Sequence, residues 1–187
     1  MNVISNDVSD EIIIKKSKFI CYLYSINDIS DVNKYLNLLR KTYKDANHVC
    51  YAYRTLNEEK VSDDKEPSGT AGLPMLDVLK KNNLVNTLAV VIRIFGGIKL
   101  GVRGLSRAYR SSLKNALDKT KIIPYKEYIY VTLTTSFDNL KYLNNICKDL
   151  DVTCKIYDEE VIYKLKIEKD YLNILSCLIN DNIKMEL

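Results

Sequence analysis

The chain has 187 residues, of which 47% are hydrophobic and 28% are charged, and its net charge is +4. This length suits one domain or two small ones, and the composition excludes a wholly disordered chain. No apolar run approaches the ~18 residues that a membrane helix needs, and residues 1–11 lack the pattern of a secretory signal. Five widely spaced cysteines without a C-x-x-C pair favour a reducing compartment, so we expect a cytoplasmic protein that does not enter a membrane.

The positive charge is concentrated in one segment of the chain. Residues 93–126 hold nine Lys and Arg against one acid, Asp118, which gives a local net charge of +8. Residues 1–92 sum to zero and residues 127–187 to −4. Such segregation predicts a basic face for an anionic partner such as RNA, DNA or a phosphorylated ligand.

In chain order, the first part alternates between predicted strands and helices. Strands are predicted at 18–26, 48–55 and 87–95 from runs of β-branched and aromatic residues. Helices are predicted from the cap residues at 28–31 through Tyr43, at 73–81 and at 105–119. Residues 57–72 and 96–104 are predicted loops, and the six glycines all lie between residues 69 and 104.

The remainder of the chain predicts a second unit. Its strands are expected at 128–134, 152–157, 161–168 and 183–187, and its helices at 138–150 and 171–180. The order βαββαβ is that of a ferredoxin-like unit. We therefore expect an α+β protein with domains at residues 1–122 and 123–187.

The loop Ser62–Pro74 is the most distinctive motif. Asp63, Asp64 and Glu66 offer the oxygen ligands that Mg²⁺ prefers. The backbone N–H groups of residues 69–72 could bind an anion at the start of the next helix. The alternative is a solvated turn, in which acidic side chains near the start of the next helix interact favourably with the helix dipole. We favour this alternative over a binding site.

The second glycine loop, Phe95–Gly104, lies between a predicted strand and a predicted helix. Gly96 and Gly101 have the spacing of a Walker A loop, but Val102 and Arg103 stand where Lys and Ser or Thr are required. Two alternatives remain equal for this loop. It is either a phosphate site made by the glycine backbone and Arg103, or a plain tight connection between the strand and the helix.

The predicted helix 105–119 carries a basic stripe and an apolar face. Leu105, Ala108, Ser112, Leu113, Ala116 and Leu117 are its predicted core positions, whereas Arg103, Arg107, Arg110 and Lys114 share the opposite face. An ordinary exposed face mixes charges, so the missing acids favour anion binding. Tyr109 beside the stripe could stack on a base, although packing is the commoner use of tyrosine.

His48 is the single histidine and lies two residues before Cys50. We expect a hydrogen-bonded structural histidine rather than a catalytic one. The other cysteines, at positions 21, 147, 154 and 177, fall at apolar positions of predicted elements and are expected in the core.

Four sequence segments together resemble the IMPACT/YigZ family. They are Lys16-Ser17-Lys18-Phe19, His48-Val49-Cys50-Tyr51-Ala52, Ser62 to Leu76, and Val90 to Gly101 continued by Gly104-Leu105-Ser106-Arg107-Ala108-Tyr109. The resemblance covers about residues 15–118. The family usually has Gly where this chain has Lys65 and Arg103.

The resemblance implies a ribosomal-protein-like two-layer α/β domain, of the kind found in a ribosome-contacting domain of elongation factor G, followed by a ferredoxin-like domain. It also implies a role in translation or nucleic-acid binding without established catalytic residues. Eukaryotic members restrain the amino-acid-starvation kinase pathway by competing for its activator, but this chain resembles a bacterial-type member, so that partnership is not carried over to it. A translation-factor protein is a further candidate partner. Fold analogy alone does not carry the function.

These observations predict a non-enzymatic regulator of translation that binds RNA or the ribosome and needs no cofactor. The alternative is a metal-assisted enzyme, or a binder of a phosphorylated small molecule, that uses loop 62–74. The predicted anion-binding residues are Arg93, Gly96, Gly97, Lys99, Gly101, Arg103, Arg107 and Arg110. The predicted motif-loop residues are His48, Asp63, Asp64, Glu66, Pro67, Gly69, Thr70 and Gly72.

Overall fold

The computed structural model describes residues 1–187, which form a mixed α/β protein with two compact units, Met1–Tyr125 and Lys126–Leu187. The strands of the first unit are β1 (Asn2–Ile4), β2 (Val8–Ile14), β3 (Ser17–Ser25), β4 (His48–Arg54), β5 (Glu59–Ser62), β6 (Thr87–Ile94) and β7 (Ile122–Pro124). Its helices are α1 (Ile29–Thr42), α2 (Gly72–Lys81) and α3 (Gly101–Leu117).

The first unit is built on an antiparallel sheet with the strand order β2-β3-β6-β4-β5. Alternate residues of β6 enter two separate cores, because β6 is covered on both faces. Val91 packs with α2 and α3 on one side, whereas Val90 packs with α1 on the other. The unit therefore has three layers, and the predicted two-layer arrangement is wrong because α1 covers the face opposite α2 and α3.

Four short features of the first unit differ from the sequence-based expectation. Residues 1–14, for which no strand was predicted, form β1 and β2, and the predicted loop 57–72 contains β5. The helix α3 begins at Gly101 rather than at Leu105, so the predicted loop 96–104 is shorter. Residues 122–124 form β7, which pairs with β1. Each of these short strands is fixed by its partner strand rather than by its own sequence.

The second unit has the predicted element order. It contains β8 (Tyr128–Thr135), α4 (Leu140–Cys147), β9 (Asp151–Tyr157), β10 (Val161–Glu168), α5 (Leu172–Leu178) and β11 (Lys184–Glu186), and a short 3-10 turn precedes each helix. The antiparallel sheet has the order β11-β8-β10-β9. Leu133, Leu143, Leu165 and Leu175 lie in its separate core.

Cysteine placement and helix length complete the comparison with the sequence. Cys21, Cys50 and Cys147 are buried, but Cys154 and Cys177 are exposed, so the predicted core position of these two is wrong. Cys154 lies on β9, whose outer face is open to solvent. None of the five helices is both long and apolar enough to cross a membrane.

Candidate nucleic-acid interface

The loop between β5 and α2 closes around the carboxylate of Asp63. Its Oδ1 accepts hydrogen bonds from the N–H groups of Ala71 at 2.9 Å and Gly72 at 2.8 Å. Its Oδ2 accepts one from the N–H of Gly69 at 2.8 Å. The sequence predicted that the N–H groups of residues 69–72 could bind an external anion. Three of them instead bind the carboxylate of Asp63, which stabilises the start of α2.

The neighbouring carboxylate of Asp64 ties the same loop to β4. Its Oδ2 accepts the N–H of Val49 at 2.7 Å, and its main-chain oxygen lies 2.8 Å from Nδ1 of His48. A carbonyl oxygen can only accept, so Nδ1 of His48 carries a proton. Asp64 and Lys65 have φ of 39° and 69°, which lie in the left-handed region. Glycine adopts this region most easily, which explains why the IMPACT/YigZ sequences usually have Gly where this chain has Lys65.

Pro67, Gly69 and Thr70 serve the loop's own geometry. The hydroxyl of Thr70 donates to the main-chain oxygen of Pro67 at 2.6 Å, and Thr70 is buried. Gly69 has φ of 75°, and a Cβ at Gly72 would lie 2.7 Å from Cβ of Val61. These positions make the loop fold back onto β5.

Glu66 is the centre of a buried polar network. Its Oε1 accepts hydrogen bonds from Nη1 of Arg93 at 2.6 Å and from the hydroxyl of Tyr109 at 2.8 Å, and Nε2 of His48 lies 3.7 Å away. The thiol of Cys50 donates to the main-chain oxygen of Asp63. Burial raises the pKa of Tyr109 and of Cys50, so both remain protonated donors.

These contacts decide between the alternatives for loop 62–74. Asp63, Asp64 and Glu66 each accept hydrogen bonds from the protein, and no cluster of three or more His, Cys, Asp or Glu side chains has an arrangement that could hold a metal ion. The favoured interpretation, a solvated turn, holds only in that Asp63 caps α2, since Glu66 and Thr70 are buried rather than solvated. The residues present do not fit the Mg²⁺ site that the alternative requires.

Arg93 and Tyr109 also belong to this interior. Arg93 is only 5% exposed, and its guanidinium lies over the rings of Phe19 and Phe95 at 5.5 and 5.4 Å from their centroids. Tyr109 is fully buried and packs edge-on against Phe19. Arg93 is therefore not on the exposed basic face, and Tyr109 is not available to stack on a base.

The glycines of the loop before α3 have different roles. A Cβ at Gly96 would lie 2.0 Å from the carbonyl carbon and oxygen of Lys16, so Gly96 allows the turn between β2 and β3 to approach. Gly97 and Gly101 have φ of 83° and 71° and open space beside them. Gly96, at which the sequence predicted a close contact with a phosphate, thus contacts the backbone of Lys16 instead. Gly97 and Gly101 face open space.

The exposed cations lie at the start of α3 and before it. Lys99, Arg103 and Arg107 are exposed, and none has an acidic side chain within 4 Å. Arg110 is half-buried and pairs with Oδ2 of Asp77 at 3.2 Å. Arg103 lies within helical backbone, a conformation that any residue adopts, so the glycine usual in the family is not required there.

Two basic residues that the sequence did not identify extend this face. Lys15 and Lys16 form the exposed turn between β2 and β3, with φ of 46° and 64°. Lys15 and Arg107 line the same hollow of about 200 Å³. Both lysines lie in residues 1–92, whose charges sum to zero, so the charge pattern of the sequence did not indicate them. The contact between Gly96 and the backbone of Lys16 brings their turn beside the loop that precedes α3. We call Lys15, Lys16, Lys99, Arg103 and Arg107 the basic surface.

A cavity of about 350 Å³ opens at the start of α3. Its lining residues are His48, Glu66, Pro67, Arg93, Phe95, Lys99, Leu100, Gly101, Val102 and Leu105. The cavity thus joins the buried polar network of Glu66 to the basic surface through Lys99. It is the place where the two predicted loops come together.

The fold and these loops define an α/β protein whose first unit presents a basic helix beside a capped acidic turn. The Impact N-terminal domain model matches residues 15–117. The IMPACT family member YvyE of Bacillus subtilis is 37% identical over 172 residues, which cover 89% of this chain and 79% of that protein. The chain belongs to the IMPACT family, as its sequence motifs predicted.

Two further relatives agree with this assignment. An IMPACT family member of Haemophilus influenzae is 33% identical over 144 residues, which cover 74% of this chain and 70% of that protein. A solved structure described as a hypothetical protein has a TM-score of 0.71 and 26% identity, and it covers 98% of this chain and 95% of its own. The fold is therefore shared with a known structure.

Proposed function

We propose that this protein regulates translation by binding RNA or the ribosome through the basic surface, without catalysing a reaction. The observation that carries the proposal is that Lys99, Arg103 and Arg107 are exposed and lack acidic partners. Unpaired cations on one face gain most from phosphates, since each contact releases counterions from the nucleic acid. Family membership supports the link to translation, because eukaryotic IMPACT proteins act on a translational control pathway.

The fold assignments belong to the same proposal. We infer that the second unit is ferredoxin-like, which its strand order β11-β8-β10-β9 supports, and that the first is ribosomal-protein-like. The pair would repeat the domain order seen in elongation factor G. We propose a domain boundary after Tyr125, where the first compact unit ends, three residues later than the boundary predicted for domains at 1–122 and 123–187. The cytoplasm is proposed as the compartment, where five unpaired cysteines are stable.

Salt dependence of RNA binding tests the phosphate contacts directly. Five contacts from the basic surface predict a log–log slope of affinity against salt of about −3.5 to −4.5. The measurement is fluorescence anisotropy of a labelled RNA hairpin titrated with the protein across a salt series. Reversal of two charges, Arg103→Glu with Arg107→Glu, is expected to weaken binding more than about tenfold and to flatten the slope by about 1.5.

The matched control is Arg40→Glu with Lys44→Glu, which changes the net charge equally at exposed positions at the end of α1 and beyond it. We expect this variant to lose little affinity. Equal losses in both variants would show that net charge, rather than the basic surface, governs binding. No binding of the natural protein at low salt would overturn the proposal.

The enzyme or small-molecule alternative has weaker support from the geometry. Its carboxylates at Asp63 and Asp64 hold backbone N–H groups, and Glu66 is paired with Arg93. A translation-factor protein remains a candidate partner for the same surface. Its binding would compete with RNA in the anisotropy assay.

A further inference from the structure

The cavity at the start of α3 has a polar floor made of acceptors. Oε1 of Glu66 is occupied by Arg93 and Tyr109, whereas Oε2 has no hydrogen-bond partner in the protein, although the side chain is only 3% exposed. Because Nδ1 of His48 donates to the main chain, a neutral His48 presents Nε2 as an acceptor. Because Oε2 is not fully buried and Glu66 lines the cavity, this oxygen can accept a hydrogen bond from a ligand there, so the cavity favours a ligand that donates hydrogen bonds.

The walls of the same cavity suit a flat ring. Phe95 is 43% exposed and lines the cavity, and the guanidinium of Arg93, which also lines it, lies over the Phe95 ring. Nη1 of Arg93 is held by Glu66, and its Nε is buried without a partner. Aromatic side chains that are partly exposed beside basic residues are the usual stacking platforms for unpaired bases.

The rim of the cavity offers groups for a phosphate. Lys99 is exposed and unpaired, and α3 begins at Gly101 without a side-chain cap, so its first N–H groups are free. Arg103 follows two residues later on the same helix. A nucleotide whose base enters the cavity would therefore leave its phosphates on the basic surface.

We propose that this cavity binds an unpaired guanine of the RNA, an inference that rests on the proposed RNA binding. Guanine presents two adjacent donors, N1–H and the 2-amino group, which match Oε2 of Glu66 and Nε2 of His48. Uracil offers a single N–H between two carbonyl oxygens, which would face these acceptors. Inosine lacks the 2-amino group and so keeps one of the two donors.

The experiment compares RNA hairpins of one stem that carry a single unpaired G, inosine, A or U. Binding is measured by fluorescence anisotropy at one fixed salt concentration. We expect the G hairpin to bind about 3–10-fold more tightly than the inosine hairpin, which is the effect of one hydrogen bond. The U hairpin is expected to bind no more tightly than the inosine hairpin.

The stacking wall is tested with Phe95→Ala. Because base–aromatic stacking contributes about 1–3 kcal/mol, we expect the affinity for the G hairpin to fall about tenfold. The salt slope should stay unchanged, since no phosphate contact is removed. Phe137→Ala is the matched control, because Phe137 is a similarly exposed phenylalanine in the second unit. Phe95→Tyr should keep the preference for G.

The outcomes separate this inference from the proposed function. Equal, salt-dependent binding of all four hairpins overturns the guanine site and leaves RNA binding intact. A loss of affinity in Phe95→Ala no larger than in Phe137→Ala also overturns it. Absence of binding to every hairpin overturns both proposals. A preference for G over inosine, together with a loss of affinity in Phe95→Ala that Phe137→Ala does not show, supports the site.

Discussion

Asp63 organises the whole loop between β5 and α2 with one carboxylate. Three backbone N–H groups, from Gly69, Ala71 and Gly72, converge on its two oxygens. No other side chain caps α2. Its removal would leave three donors near the helix start without partners, and water reaches this half-buried loop only in part.

We therefore expect Asp63→Ala to lower the free energy of unfolding by about 2 kcal/mol or more. Asp63→Asn keeps Oδ1, which accepts two of the three bonds, and should lose less. The measurement is urea denaturation followed by circular dichroism. Asp45→Ala is the control, since Asp45 is exposed and makes no ion pair or side-chain hydrogen bond. A loss in Asp63→Ala no larger than in the control would contradict this role.

At the residue scale, the sequence predicted which residues matter better than what they contact. Asp63, Glu66 and Arg93 all stand out by type and position, yet all three turn inward. Their partners are 6 to 43 residues away in the chain, as in the bond from Tyr109 to Glu66. Spacing along one element cannot show such pairs, because they depend on how the loop before α2 folds back and on how α3 packs across β2, β3 and β6.

The elements on the opposite side of the sheet meet through tyrosines. Tyr24 and Tyr35 stack with centroids 3.9 Å apart, and the hydroxyls of Tyr22 and Tyr43 lie 2.6 Å apart. Burial raises the pKa of Tyr24 to about 12, and nearby Asp7 adds to the shift. Burial and a hydrogen bond to Glu58 raise the pKa of Tyr53 to about 12. The sheet thus holds these phenols in their neutral form.

These shifts predict a loss of stability in alkaline solution. An unfolded tyrosine ionises near pH 10, whereas the folded phenols hold their protons until about pH 12, so the folded state binds more protons between these values. Stability is then fully present below about pH 10 and falls towards pH 12. Urea midpoints across this range should show the fall, and Tyr24→Phe should reduce it. Tyr130→Phe, at an exposed position, is the control.

At the scale of elements, periodicity predicted β3, β4 and β6 to within two residues at each end. These strands are buried between two layers of helices, and burial requires apolar residues, so their sequences indicate strands directly. In contrast, β5 has the sequence EKVS and lies at a sheet edge, where one side meets solvent. Three polar residues and one valine do not distinguish such a strand from a loop.

At the scale of the whole molecule, the two units have separate cores. The core residues of the first unit all lie before residue 118, and those of the second all lie after residue 128. The strand β7 is the last element of the first unit, because it pairs with β1 at Asn2, Val3 and Ile4. Separate cores are the basis of independent folding.

We expect a fragment of residues 1–125 to fold alone and a fragment of residues 1–122 to be less stable. The shorter one loses the pairs of Val3 with Ile123 and Asn2 with Pro124 and the bond from Tyr125 to Met1. Loss of about 1 kcal/mol would lower its melting temperature by about 3–6 °C. Thermal unfolding followed by circular dichroism measures this difference. Equal melting temperatures would show that β7 contributes nothing and would favour the boundary predicted after residue 122.

The central position of β6 has a consequence for how the chain folds during its synthesis. Both β3 and β4 take β6 as a neighbour, and β6 ends at residue 94, far behind β3 at residues 17–25. Until the ribosome has released those residues, β3 can pair only with β2, and β4 has only its edge partner β5. Pairing over such sequence distances is slow. The central pairs of the sheet, β3 with β6 and β4 with β6, therefore form late, and the apolar strands β3 and β4 stay open to chaperones until then.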